Sequence, residues 1–329
     1  MKCRTLGQSD LQVSVISMGC WAIADDQLWG PQDEDQAIAA IRAALDTGIN
    51  FFDTAEGYGN GRSEEIVGKA LTGERSRAII ATKVLPSHLS PADLRAACEA
   101  SLKRLRTDYI DVYYIHWSNP TIPIADTMGE LARLKTEGKV RVIGCSNFGA
   151  CDLGELLQYG RAEVNQLPYS LLWRAIEYEI LPACVANQIS IACWAPLMES
   201  LLTDKFTSAD AVPPARARTR HFSSARAMTR HGEPGAERET FETLANIRRI
   251  CAQINLPLAQ VALAWLIQRI GVASIVVGVR NPEQARVNAA AASLDLPDEI
   301  MRALDDATAD LKTRMGTNAD LWQSDSRIH

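Results

Sequence analysis

No apolar run in this chain of 329 residues approaches the roughly 20 residues that a membrane-spanning helix needs, which predicts a soluble protein with no membrane partner. The N-terminal stretch MKCRTLGQSDLQVS has neither an apolar signal core nor a small-residue cleavage site, so a cytoplasmic location is expected. Metal-ligand spacing is also missing. The eight cysteines (Cys3, Cys20, Cys98, Cys145, Cys151, Cys184, Cys193 and Cys251) form no CxxC or Cys/His pattern, which points to reduced core thiols and no metal site. Nor is there a basic surplus: the net charge is −6, whereas nucleic-acid-binding proteins usually carry a positive excess.

What the chain does have is one repeated phrase: a short β-branched or aromatic run, a polar loop, then an amphipathic helix. The apolar runs are VSVISMG (13–19), INFFDTA (49–55), AIIATKV (78–84), YIDVYYIHW (109–117), VRVIGCSN (140–147), VNQLPYS (164–170), ISIACWAPL (189–197) and SIVVGVR (274–280). Between them, Ile38, Ile41 and Leu45 share one helical face. Leu94, Cys98, Leu102 and Leu105 share another, after a Ser90 cap and Pro91. Near-continuously apolar strands joined by helical crossovers imply a parallel sheet covered on its faces, and eight such units close into a (β/α)8 TIM barrel of class α/β. An open doubly wound sheet is the competing architecture. The whole of residues 1–329 reads as one barrel domain, with an N-terminal β-hairpin turning near Gly7 to Asp10 that plugs the barrel's bottom. An extra C-terminal helix from about Pro297 to Leu311 precedes a polar, mobile tail. Residues 199–237, rich in Arg, Pro, Gly and Ser, form a long loop after the seventh strand and read as an active-site lid; a solvated insertion without a role is the plainer alternative.

The stretch FFDTAEGYGNGRSEE (51–65) is glycine-rich, yet it satisfies neither GxGxxG nor a GxxxxGK[ST] phosphate loop. Its glycines supply turn flexibility, and the informative residues stand between them. Asp53 ends an apolar strand and Tyr58 lies in the loop above it. Lys83 ends the third strand and His116 the fourth. In a barrel, the C-terminal strand ends are where chemistry is done, and neighbouring ends lie side by side. Singly, each has a dull reading as turn former, packing ring or satisfied core polar group. Together they suggest proton delivery: an ammonium beside a phenol favours phenolate and lowers the tyrosine pKa from about 10, while a carboxylate keeps the lysine charged.

With these residues in hand, FFDTAEGYGNGRSEEIVGKAL, ATKV, YIDVYYIHW, GKVRVIGCSNF, VNQLPYSLL and VVGVRNPEQARVN resemble the motifs of the aldo-keto reductases, in the same order and at similar spacing across nearly the whole chain. The resemblance implies reduction of an aldehyde or ketone by hydride from NAD(P)H, with NADP(H) preferred and NAD(H) possible. It makes Tyr58 the general acid, with Lys83 tuning it, Asp53 pairing Lys83 and His116 positioning the carbonyl oxygen. It likewise makes Ser146, Asn147 and Gln166 the holders of the nicotinamide amide, and Trp194 the ring that stacks on the nicotinamide. Leu197 is placed near the pyrophosphate and Gly278, Arg280, Gln284 and Asn288 near the adenosine half, with Arg280 facing a 2′-phosphate. Where the family typically has Tyr-Ser-Pro-Leu, this chain has Trp-Ala-Pro-Leu and no Gly-Leu pair after it. Trp21 and Trp117 are expected to wall the substrate pocket, with Trp29, His221 and Phe222 as looser candidates, which suits an apolar or ring-bearing carbonyl compound. The alternatives are a cofactor-binding regulatory subunit resembling the potassium-channel β subunits, or a nicotinamide-retaining isomerase on the same fold.

Overall fold

The computed structural model describes residues 1–329. Two short strands, β1 (Cys3–Thr5) and β2 (Gln12–Ser14), form an antiparallel hairpin. Eight parallel strands follow: β3 (Ile16–Gly19), β4 (Phe51–Asp53), β5 (Ile79–Val84), β6 (Ile110–Ile115), β7 (Val140–Ser146), β8 (Val164–Pro168), β9 (Ser190–Trp194) and β10 (Val272–Gly278). Each pairs with the next, and β10 returns to β3, so the sheet closes into a (β/α)8 barrel. The apolar run at 13–19 is not one strand. It divides at Val15 between the hairpin and the barrel, because the Ser14 amide donates to Asn50 Oδ1 and the Ser14 hydroxyl to the Ile16 carbonyl.

The hairpin closes one end. Leu6, Leu11 and Val13 are buried in one apolar cluster with the barrel-interior residues Phe51, Ala81, Val112, Val142 and Val164. Alternation then decides what lies at the other end, since residues two apart on a strand face the same way. Phe51 is followed by Asp53, Ala81 by Lys83, Tyr114 by His116, Val164 by Gln166 and Ala192 by Trp194. Thus the interior is apolar at the hairpin end and turns polar at the C-terminal ends of the same strands.

Helices cover the outside for local reasons. Asp33 caps Glu34–Asp46 by accepting from the Gln36 amide, and Ala37, Ile41, Ala44 and Leu45 are buried on the barrel side, with Ile38 at the margin. Ser90 caps Pro91–Leu105 as its spacing predicts, burying Leu94, Cys98 and Leu105. No single helix is long and apolar enough to cross a membrane. Six of the eight cysteines are buried and all are unpaired.

Two expectations for the C-terminal third need correction. The extra helix is a pair, Asp298–Ala307 and Ala309–Met315, and the polar tail after it is packed. Asp320 and Leu321 are fully buried, and Ile328 nearly so. Arg327 pairs with Asp320 at 2.7 Å, and the His329 amide donates to Asp152. The segment 199–237 is likewise tied down. It contains short helical turns at Leu201–Thr203 and Ala209–Ala211. Its arginines reach fixed partners: Arg220 to Glu233 and to the carbonyls of Asn318 and Asp320, and Arg226 to Glu237 and Asp210. A composition that reads as solvated is here an ion-paired layer shared with the tail.

Candidate active site

The loop after β4 carries the phenol. Gly59 takes φ +57°, and a Cβ there would meet the Ala24 carbonyl oxygen at 2.4 Å, so the turn after Tyr58 requires glycine. The loop is anchored where the helix Arg62–Ala70 begins. Fully buried Glu64 accepts from the Thr82 hydroxyl and from Arg104 Nε, and the Ser63 hydroxyl donates to the Cys20 carbonyl. Held this way, Tyr58 sits at the barrel mouth with its ring stacked against Trp21 at 5.8 Å and edge-on to His116 at 5.9 Å.

Lys83 is fully buried, and its ammonium donates to Asp53 Oδ1 at 2.6 Å, to the Thr54 carbonyl at 2.8 Å and to the Tyr58 hydroxyl at 3.1 Å. All three of its protons are therefore committed, one to the phenol. Burial alone would lower the lysine pKa, but Asp53 and Tyr58 outweigh it, so the group stays charged. For Tyr58 the balance differs from the sequence expectation. Burial raises its pKa above the ordinary phenol value, and Lys83 offsets only part of that rise. The phenol is thus firmly protonated, which a proton donor requires. Burial and the Lys83 charge push His116 down to about 3, so its imidazole is neutral. Nδ1 of that ring is sealed from solvent without a partner.

The same carboxylate serves a second group. Asp53 Oδ2 accepts from Gln166 Nε2 at 2.6 Å. The Ser146 hydroxyl donates to the Gln166 carbonyl, and Asn147, held at φ 61°, donates from Nδ2 to Ser146 and to the His116 carbonyl. Asn147 Oδ1 accepts from Trp194 Nε1 at 3.0 Å. Lysine, phenol, glutamine, serine, asparagine and indole form one connected network.

These groups border a cavity of about 560 Å³. Of the expected site residues, Trp21, Asp53, Tyr58, His116, Trp117, Ser146, Asn147, Gln166, Trp194, Leu197 and Gly278 all line it, as does Trp29. Lys83 acts from beneath, reaching the cavity only through Tyr58 and Asp53. Arg280 lies outside the lining, and its guanidinium donates to the carbonyls of Trp29, Gly30 and Pro31 and to Gln32 Oε1. Gln284 accepts from the Arg280 amide, and Asn288 is buried on the helix Pro282–Ala290. His221 and Phe222 do not wall the cavity. Both are buried, His221 between the Leu172 carbonyl and the Thr219 hydroxyl.

The chain matches the sequence profile described as the Aldo/keto reductase family over residues 15–309. It belongs to the aldo/keto reductase family. An NADH-specific methylglyoxal reductase of Escherichia coli is 36% identical over 93% of this chain and 99% of its own length. Among solved structures, an aldo/keto reductase from Klebsiella pneumoniae in complex with NADP and acetate is 30% identical, with TM-score 0.73 over 93% of this chain and 94% of that one. A glycerol dehydrogenase from Gluconobacter oxydans is 29% identical, with TM-score 0.81 over 94% and 95% of the two chains.

Sequence reasoning missed the far side of this reductase-family cavity. Glu199, Arg218, Trp322 and Arg327 line it. Trp322 stacks on Trp194 at 6.1 Å, leaving that indole one face for a cofactor, and Arg327 lies over Trp117 at 3.9 Å. The chain reaches Glu199 through left-handed backbone at Ala195, Met198, Glu199 and Ser200, none of them glycine. A tryptophan in an otherwise polar tail was the one available signal for Trp322; nothing in PLMES marks Glu199.

Proposed function

We propose that this protein reduces an aldehyde or ketone to an alcohol with a nicotinamide cofactor, NADP(H) in preference to NAD(H), and that Tyr58 is the proton donor. The observation that carries this reading is the 3.1 Å contact of the buried Lys83 ammonium with the Tyr58 hydroxyl. A carbonyl gaining hydride becomes an alkoxide, and the phenol supplies the proton that quenches it. The ammonium then steadies the phenolate left behind, so the contact strengthens as the reaction proceeds. His116 is neutral and lines the cavity, which suits it to orient the carbonyl oxygen without competing for the proton.

The cofactor residues fit the group. Gln166, Asn147 and Ser146 present amide and hydroxyl groups along the cavity wall beside one free face of Trp194, a set that would hold a carboxamide-bearing aromatic ring. When bound, the reduced nicotinamide supplies the hydride. Leu197 would border its pyrophosphate, and Gly278, Arg280, Gln284 and Asn288 its adenosine half. NADP in the Klebsiella pneumoniae structure and NADH specificity in the Escherichia coli relative bracket the preference. Residues 199–237 and the tail would form the lid, since both border the cavity.

The test is Tyr58→Phe. Its kcat with aldehydes should fall by about 10²- to 10⁴-fold, the usual weight of a positioned acid, while the NADPH dissociation constant stays within a factor of two. If wild-type protein binds NADPH but oxidises none of a panel of aldehydes and ketones, the reading fails.

A further inference from the structure

Arg218 is the one buried arginine of the 199–237 segment without an oxygen partner. Its side chain is 9% exposed, and Nε and Nη2 are both sealed from solvent with no hydrogen-bond acceptor. The nearest carboxylate oxygen, on Glu199, is 3.9 Å from Nη2, beyond hydrogen-bond range. Its neighbours are satisfied: Arg216 donates to Ser200 and Arg220 to Glu233, and Arg226 reaches Glu237. Leaving buried charged donors unmade carries a large desolvation penalty, so a group kept in that state in a cavity wall is a group awaiting a ligand.

The surroundings say which side of the cavity the ligand occupies. The guanidinium carbon lies 4.5 Å from the ring centre of Trp322 and 5.5 Å from that of Trp21. These two faces position a cation but accept none of its in-plane N–H bonds. Trp21 is itself stacked on Tyr58 at 5.8 Å. Arg218 and the phenol therefore share one indole as neighbour, and no more than the sum of those two contacts separates them. An anionic oxygen pair seated on the planar fork would lie across Trp21 from the reacting carbonyl.

We propose that Arg218 is a specificity-determining residue that binds a carboxylate carried by the carbonyl substrate, so that the preferred substrates are short aldehydes or ketones with an anionic group remote from the carbonyl. This rests on the reductase reading above. Glu199 is the internal rival: its carboxylate faces the same guanidinium and must be displaced or protonated as the substrate anion arrives. The cofactor's phosphates are the other source of the same anionic chemistry: of the two rings that Arg218 contacts, Trp21 leads to Tyr58 and Trp322 to Trp194, so the experiment must separate the two sources.

The experiment compares 4-carboxybenzaldehyde with methyl 4-formylbenzoate, which share ring and aldehyde and differ in charge, in wild-type protein and in the Arg218→Leu and Arg218→Lys variants. Wild type should favour the carboxylate in kcat/KM, and Arg218→Leu should shrink that preference by about 30-fold, the weight of a charge-assisted pair. Arg218→Lys, which keeps the charge without the fork, should fall between. NADPH affinity, read by tryptophan quenching, reports folding and cofactor contact in the same samples. A preference equal in wild type and variants overturns the proposal. So does a rise in the NADPH dissociation constant with equal losses on both aldehydes, which would assign Arg218 to the cofactor phosphates. Calorimetry of 4-(hydroxymethyl)benzoate with NADPH-loaded protein separates the two readings. Arg218-dependent binding without turnover of either aldehyde would remove the reductase reading and leave the anion site standing, whereas turnover with Arg218-independent binding would do the reverse.

Discussion

Replacing Asp53 by asparagine tests the centre of the network, because one carboxylate holds both Lys83 and Gln166 at 2.6 Å. Asparagine keeps the shape and can still accept a hydrogen bond, so the change is mainly the loss of a negative charge beside a fully buried ammonium. Removing one partner of a buried ion pair typically costs about 3–5 kcal/mol. Here the cost has a ceiling, since Lys83 can shed its proton. At pH 8 that takes about 3 kcal/mol from a reference pKa of about 10.4, at about 1.4 kcal/mol per unit. In the variant the folded-state lysine pKa falls below its unfolded value, so the unfolded chain binds more protons and the stability deficit shrinks as pH rises toward 10. In wild type the lysine pKa is raised, and its contribution is complete below the unfolded value and lost only above it. Urea denaturation of both proteins at pH 7, 8 and 9 should therefore show a deficit that narrows by about 1.4 kcal/mol per unit. With Lys83 neutral, a phenolate formed at Tyr58 under the proposed mechanism would lose its cation, and single-turnover NADPH oxidation should slow by about 10²- to 10³-fold. A variant within threefold of wild type in that step, with a pH-independent deficit below about 1 kcal/mol, would refute the reasoning.

Arg280→Ala should raise the NADPH dissociation constant by about tenfold relative to that for NADH. The arginine must trade its present loop acceptors for the 2′-phosphate, so the net gain is modest; equal changes for both cofactors would remove Arg280 from 2′-phosphate recognition. Acid should destabilise the fold through His221, whose burial holds its pKa down to about 4. The neutral ring's contribution is intact above the unfolded value near 6.5 and declines as pH falls, by about 2 kcal/mol at pH 5. Denaturation at pH 8 and pH 5 should show a flatter pH dependence in His221→Gln, and an unchanged slope would exclude this residue as the cause.

How much of this could be read from sequence follows from where each residue's partners lie. Asp53, Lys83, His116 and Gln166 were legible because strand parity alone fixes their direction. Each lies in or just past its strand, two residues beyond an interior apolar residue, and the closed barrel turns that shared parity into convergence. Cap and turn chemistry, equally local, located Ser90 as a helix cap and the glycines of 57–61 as turn formers. The division of 13–19 was hidden because it depends on Asn50, a residue more than thirty positions away. Tyr58 stands in the loop above β4, as its spacing predicts, but its acidity shifts the opposite way. The motif announces the neighbouring lysine, whereas the burial that outweighs it is a property of the assembled mouth. The Arg-rich segment was the least legible for a related reason. Arg220 is satisfied by carbonyls of Asn318 and Asp320, about a hundred residues on, so the composition reads as solvated until the tail is folded over it. That cross-bracing also isolates Arg218. Once its neighbours had found their oxygens at long range, one guanidinium facing the cavity was left without any, and no local pattern in RARTRHF distinguishes it from the rest.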